Sequence, residues 1–143
     1  MDRKIRQVIQ GRGMFSMPKA TTVQEAARHM ATQRIGALLV IEGADLVGIF
    51  TERDALSRVL AKGVDPVRTT LGEVMTPKPL TISADKPLSH ALIFMHENGF
   101  RHMPVVDGGR VVGVVSVRDA LGSELSQLDS DLDAMEQMAE NIR

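Results

Sequence analysis

Gly48-Ile49-Phe50-Thr51-Glu52-Arg53-Asp54 is written a second time, 65 residues later, as Gly113-Val114-Val115-Ser116-Val117-Arg118-Asp119. Each copy leaves an apolar run, sets a hydroxyl and a carboxylate three residues apart, and enters a helical pattern. The same register reaches back without a gap to Val23 and Leu88. Ala26/Ala91, Met30/Met95, Val40/Val105, Gly43/Gly108, Val47/Val112, Gly48/Gly113, Arg53/Arg118 and Asp54/Asp119 are identical, eight of thirty-two positions, against about one in fifteen for unrelated segments of average composition. The chain is an internal duplication, so each structural assignment has to hold twice.

Within the first copy, Thr22-Val23-Gln24-Glu25 has capping-box spacing and opens a helix through about Gln33, with Ala26, Ala27 and Met30 on its buried face. Ala37–Ile41 and Leu46–Phe50 are apolar runs of strand length joined by turn residues, a hairpin pattern. Met14–Met17 is expected as a short first strand, and Glu52 to about Lys62 as a second helix stopped by Gly63. The second copy repeats this with Leu80–Ile82, a helix beginning near Pro87, and a hairpin closed by Asp107-Gly108-Gly109. The expected fold class is α+β, two β-α-β-β-α units. Residues 1–63 form the first unit with an N-terminal helix, 64–122 the second, and 123–143 an acidic helix.

Units of roughly sixty residues bury little surface alone, so the halves are expected to share a core. Ile5, Val8 and Ile9 mark a short amphipathic helix over residues 2–10, followed by Gly11-Arg12-Gly13, which reads as a flexible connector rather than a phosphate loop because no strand precedes it. Leu71–Met75 reads as one short turn or helix. Beyond Asp119, Leu121, Leu125, Leu128, Leu132, Met135, Ala139 and Ile142 fall at alternating spacings of four and three, a coiled-coil seam. That stripe packs either on its own domain with the N-terminal helix or on a second subunit.

Near-balanced charge, 17 basic against 18 acidic residues, advertises no nucleic-acid partner. Cysteine is absent, which excludes disulfides and thiolate metal sites, and no apolar run approaches a membrane span. A reducing cytoplasm is the default compartment. His29, His90, His96 and His102 show no i,i+3 or i,i+4 metal pair. No nucleophile elbow, Walker loop or dinucleotide fingerprint occurs, and Thr51 and Asp54 lack a visible third group to orient them. No enzyme, catalytic cofactor or metal is expected.

The ordered motifs resemble paired cystathionine β-synthase (CBS) domains, the Bateman module. The resemblance is carried by the two hydroxyl–carboxylate segments, by Val74-Met75-Thr76-Pro77 and by Arg101-His102-Met103-Pro104-Val105-Val106-Asp107, and covers about residues 5–122. It implies two units packed sheet to sheet about a pseudo-twofold axis, with two clefts for adenosine-containing ligands such as AMP, ADP or ATP. By resemblance Thr51 and Ser116 bond phosphate while Asp54 and Asp119 take ribose hydroxyls, with Arg53 and Arg118 nearby. Ser16, Met17, Ile35, Gly36, Ala37, Thr81, Ile82 and Phe100 would hold adenine. Arg101 and His102 would reach phosphate, and since Gly36 and Ala37 stand in their places in the first unit, the clefts are expected to bind unequally.

The residues support this chemistry without the family name. A hydroxyl at a helix start sits beside unpaired N–H groups that favour an anion, and a carboxylate one turn on can accept both hydrogen bonds of a diol. The same spacing also suits a helix cap worth about 1 kcal/mol that needs no ligand. The two roles are compatible. The chain is therefore expected to be a stand-alone sensor with an adenosine-containing small molecule as regulatory ligand, signalling through a homodimer or another protein partner. The alternative is a ligand-free interaction module.

Overall fold

The computed structural model describes residues 3–142, with the side chains of 123–129, 141 and 142 outside the description. The order is α1 (Ile5–Ile9), β1 (Ser16–Met17), α2 (Val23–Gln33), β2 (Ala37–Glu42), β3 (Asp45–Thr51), α3 (Glu52–Asp54), α4 (Leu71–Val74), β4 (Thr76–Pro77), β5 (Ile82–Ser83), α5 (Leu88–Asn98), β6 (His102–Asp107), β7 (Arg110–Ser116) and α6 (Gly122–Ile142). β1-β2-β3-β4 form one sheet and β5-β6-β7 another. The mixed α+β duplication is thus as the sequence implies.

Local chemistry explains the element ends. Thr22 Oγ1 accepts the Glu25 N–H at 3.2 Å and caps α2. Arg34 and Gly99 end α2 and α5 in left-handed conformation, φ 56° and 73°, a geometry that costs glycine little and arginine more. The helix expected over 52–62 is α-helical only through Asp54. Ala55–Leu60 then winds as a π-helix, in which Ala61 N–H bonds to the Leu56 carbonyl at 2.8 Å. After Ser116 a 3-10 turn, Val117–Leu121, leads into α6.

The expected shared core is replaced by two separate ones, because each unit is completed by a helix from the other side of the duplication. Ile5 and Val8 of α1 pack with Leu88, Ala91, Met95, Met103 and Val115. Leu71 and Val74 of α4 pack with Val23, Met30, Leu38 and Phe50. The backbone repeats the exchange. Ile5 N–H bonds to Lys86 O and Leu88 N–H to Arg3 O, while Leu71 N–H bonds to Thr21 O and Val23 N–H to Thr69 O, all between 2.7 and 3.0 Å. Arg6 adds ion pairs to Asp107 and Asp85 at 2.6 and 2.8 Å. Thus α1, first in sequence, belongs in space with the second unit.

Of the C-terminal stripe, Leu132, Met135 and Ala139 are exposed, so this part of it does not pack on its own chain. Leu125, Leu128 and Ile142 lie outside the described side chains. Among the described residues no helix is long and apolar enough to cross a membrane.

Candidate functional site

The duplication places each hydroxyl–carboxylate motif opposite the other unit's entry into its hairpin. A first cleft of about 810 Å³ lies between Thr51, Arg53 and Asp54 of one unit and Lys78–Leu80 with Asn98–His102 of the other. A second, of about 500 Å³, sets Ser116, Arg118 and Asp119 against Arg12–Phe15 and Arg34–Ala37.

In the first cleft β3 ends at Thr51, whose extended backbone (φ −118°, ψ 165°) turns the chain into α3. Thr51 Oγ1 accepts the Asp54 N–H at 3.2 Å, and the Asp54 carboxylate accepts the Thr51 N–H at 2.9 Å. Capping therefore occurs, and it fixes a nearly buried carboxylate at the cleft. The other Asp54 oxygen is 3.6 Å from Arg58 Nε, too long for a hydrogen bond. That guanidinium is engaged instead with the Val74 and Met75 carbonyls at 3.2 and 2.8 Å. Arg53 reaches across to the Gly99 carbonyl at 3.4 Å. Lys78 and Arg101 add positive charge, and Ile49, Leu80 and Phe100 add apolar wall.

The second cleft repeats the backbone and changes the occupancy. Ser116 N–H bonds to Asp119 Oδ2 at 2.9 Å. Asp119 also receives a guanidinium fork from Arg12, at 2.6 Å to Oδ1 and 3.2 Å to Oδ2. Arg3 donates to the Asp119 carbonyl at 2.6 Å.

Glu52 and His102 line both clefts. A Cβ at Gly36 would lie 2.7 Å from Glu52 Oε1 and 3.2 Å from His102 Nε2, so glycine is what lets this shared wall close. Burial pushes the His102 pKa below its ordinary 6.5, helped by Arg101 and opposed by Glu52 and Asp119. The ring is accordingly neutral at neutral pH. Among the described residues no cluster of three or more His, Asp or Glu could hold a metal.

Of the residues singled out from sequence, Thr51, Arg53, Asp54, Phe100, Arg101 and His102 come together in the first cleft, and Ile35, Gly36, Ala37, Ser116, Arg118 and Asp119, again with His102, in the second. Ser16, Met17, Thr81 and Ile82 line neither. Met17 and Ile82 pack on the two cores, and the chain meets the clefts slightly earlier, at Met14–Phe15 and Pro79–Leu80. Arg12, Glu52 and Lys78 had no assigned role. The signal for Arg12 and Lys78 was available: both are basic residues in the linker just before a first strand.

Residues 6–61 and 71–125 each match the family model of the CBS domain. The chain is 35% identical over 116 residues to the CBS domain-containing protein CBSCBSPB3 of Arabidopsis thaliana, covering 80% of this chain and 21% of that protein. It spans about a fifth of the length of that protein and of the related Arabidopsis protein CBSCBSPB2. Among solved structures, a putative signal-transduction protein with CBS domains from Burkholderia ambifaria is 31% identical with a TM-score of 0.80, covering 88% of this chain and 95% of that one. The CBS domain protein PAE2072 from Pyrobaculum aerophilum, complexed with AMP, is 27% identical with a TM-score of 0.75, covering 87% and 99%.

Proposed function

The chain belongs to the CBS-domain family, as a tandem pair of these regulatory domains, and from that premise we propose that it senses an adenosine-containing ligand in the cleft at Asp54. One observation carries the reading: a capped, nearly buried carboxylate shares an 810 Å³ cleft with Arg53, Lys78 and Arg101 and with the apolar side chains of Ile49, Leu80 and Phe100. Those groups complement a ribose diol, a phosphate and a flat base respectively. The AMP held by the Pyrobaculum protein supports the same ligand class. Because the cleft is walled by both units, a bound nucleotide favours one relative arrangement of them, and a partner protein or second copy reads that arrangement. Regulation by linkage needs no catalytic group.

Thermal unfolding against AMP, ADP, ATP, S-adenosylmethionine and NAD(H), with pyrophosphate as anion control, tests this. A ligand at a hundred times its Kd adds about 2.7 kcal/mol, a shift of several degrees. The shift is expected for at least one adenosine compound, not for pyrophosphate, and to vanish in Asp54→Asn, which keeps an acceptor for the Thr51 N–H. No shift with any compound at millimolar concentration rejects the sensor reading. The second reading, an assembly module, draws on the exposed Leu132, Met135 and Met138 of α6. Sedimentation of the chain with those three residues changed to serine decides whether α6 joins two copies.

A further inference from the structure

The two carboxylates of the duplicated motif are equally buried, each 8% exposed, yet only Asp119 is hydrogen-bonded by a guanidinium, while at Asp54 the nearest one, Arg58, stands off at 3.6 Å. We propose that Arg12 is a built-in competitor for the second cleft: its guanidinium takes the Asp119 oxygens that a ribose diol would use, so nucleotide enters there only when Arg12 swings out. The proposal rests on the sensor reading above.

The geometry of the contact carries it. The contact is a two-pronged fork, at 2.6 and 3.2 Å, onto a carboxylate whose side chain is 9% exposed. Both a guanidinium and a diol give this carboxylate charge-assisted hydrogen bonds, but only the guanidinium also brings a positive charge and a planar two-pronged fork, so it competes for the same oxygens on favourable terms. Because the fork engages both Asp119 oxygens, a diol entering the second cleft must replace a contact rather than fill a vacancy.

Arg12 is also mounted so that it can leave. It is half exposed and sits between Gly11, at φ +78°, and Gly13. Residues 10–13 join no strand; the backbone bond of this turn runs from Arg12 N–H to Ile9 O at 3.0 Å. The corresponding linker of the other unit is zipped down, Thr76 and Pro77 pairing with Ile49 and Gly48 of β3. Its basic residue, Lys78, lines the first cleft but makes no ion pair with Asp54 among the described residues. Arg3 grips the Asp119 carbonyl from the same N-terminal segment, so Asp119 stays in place when Arg12 departs.

Calorimetric titration of AMP into the full chain tests the idea. The background Asp54→Asn isolates the second cleft. Adding Arg12→Ala to it is expected to tighten AMP binding about tenfold, and adding Asp119→Ala is expected to abolish the gain. Arg12→Gln, checked by circular dichroism, serves if the alanine variant does not fold. Unchanged or weaker binding on loss of Arg12 overturns the proposal, since Arg12 is then a bystander or a phosphate ligand. If wild type binds AMP through Asp54 and Arg12→Ala adds no second site, the competitor idea alone fails. If neither wild type nor any variant binds AMP, the sensor reading fails and takes this one with it.

Discussion

The two clefts are built from one motif and differ in what lies over it. At Asp54 the neighbouring linker runs as β4 along the edge of β3, and Arg58 spends its hydrogen bonds on the carbonyls of Val74 and Met75. At Asp119 the linker carries two glycines, stays off the sheet and lays Arg12 on the carboxylate. Duplication therefore reproduces the cap, the strand and the acid, while the unmatched linkers decide which acid is available. A repeated motif is a repeated backbone, and equal function does not follow from it.

The largest effects are expected where the units exchange helices. Ile5 and Leu71 are both fully buried, each in the core of the unit it does not adjoin in sequence. Alanine at either is expected to cost about 2–5 kcal/mol in urea denaturation. The exchange is sharpened by a double-mutant cycle. Ile5→Ala with Met95→Ala should be non-additive, because the two share a cavity, whereas Ile5→Ala with Leu38→Ala should add. Coupling of Ile5 to Leu38 in place of Met95 would break the exchanged packing.

Next comes the paired glycine. A Cβ on Gly48 would collide with Met75 Sδ and lie 3.0 Å from the Thr76 carbonyl oxygen, while one on Gly113 would meet Ile9 no closer than 3.3 Å. Methionine can yield but the paired strand behind it cannot easily do so. Gly48→Ala is expected to cost about 1–3 kcal/mol and Gly113→Ala under about 1 kcal/mol by the same measurement. Equal costs would mean that Ile9 of α1 crowds Gly113 as closely as Met75 and Thr76 crowd Gly48.

Much of this was legible in the sequence because it rests on local rules. Capping at Thr22, the hairpins, and the facing of Thr51 and Asp54 follow from spacing and period. The destination of the Ile5 and Val8 stripe was not legible, since a stripe states that it is buried and not against what. The π-helix at Ala55–Leu60 was hidden because the same apolar spacing reads as an α-helix. The core packing of the Met17 and Ile82 side chains, expected from sequence at the clefts, has a similar reason. β1 and β5 are two residues long, so one residue of each goes to a core and the chain touches the cleft before the strand begins. The position of Arg12, a basic residue just before a first strand, was legible, but its partner was not, because Asp119 is 107 residues away and only the folded chain brings them together.

The smallest effect tests the wall between the clefts. His102 stands where the first unit has Ala37, and burial holds its folded-state pKa below 6.5. Between that depressed value and 6.5 the unfolded chain binds more protons than the folded one, so this contribution to stability is complete above 6.5 and is lost as pH falls through the window beneath it. His102→Ala, which copies the first unit, is expected to flatten the slope of unfolding free energy against pH in that window. The Arg6 hydrogen bond lowers the pKa of Asp107 in the folded state, so its contribution is present above 3.8 and lost only as pH falls below that. The two acid losses are therefore separable on one titration. An anionic phosphate in either cleft favours the imidazolium form, so AMP binding below pH 6.5 is expected to take up protons in wild type and not in His102→Ala. Proton uptake seen equally in both, measured by calorimetry in buffers of different ionisation enthalpy, would remove His102 from the wall that the two clefts share.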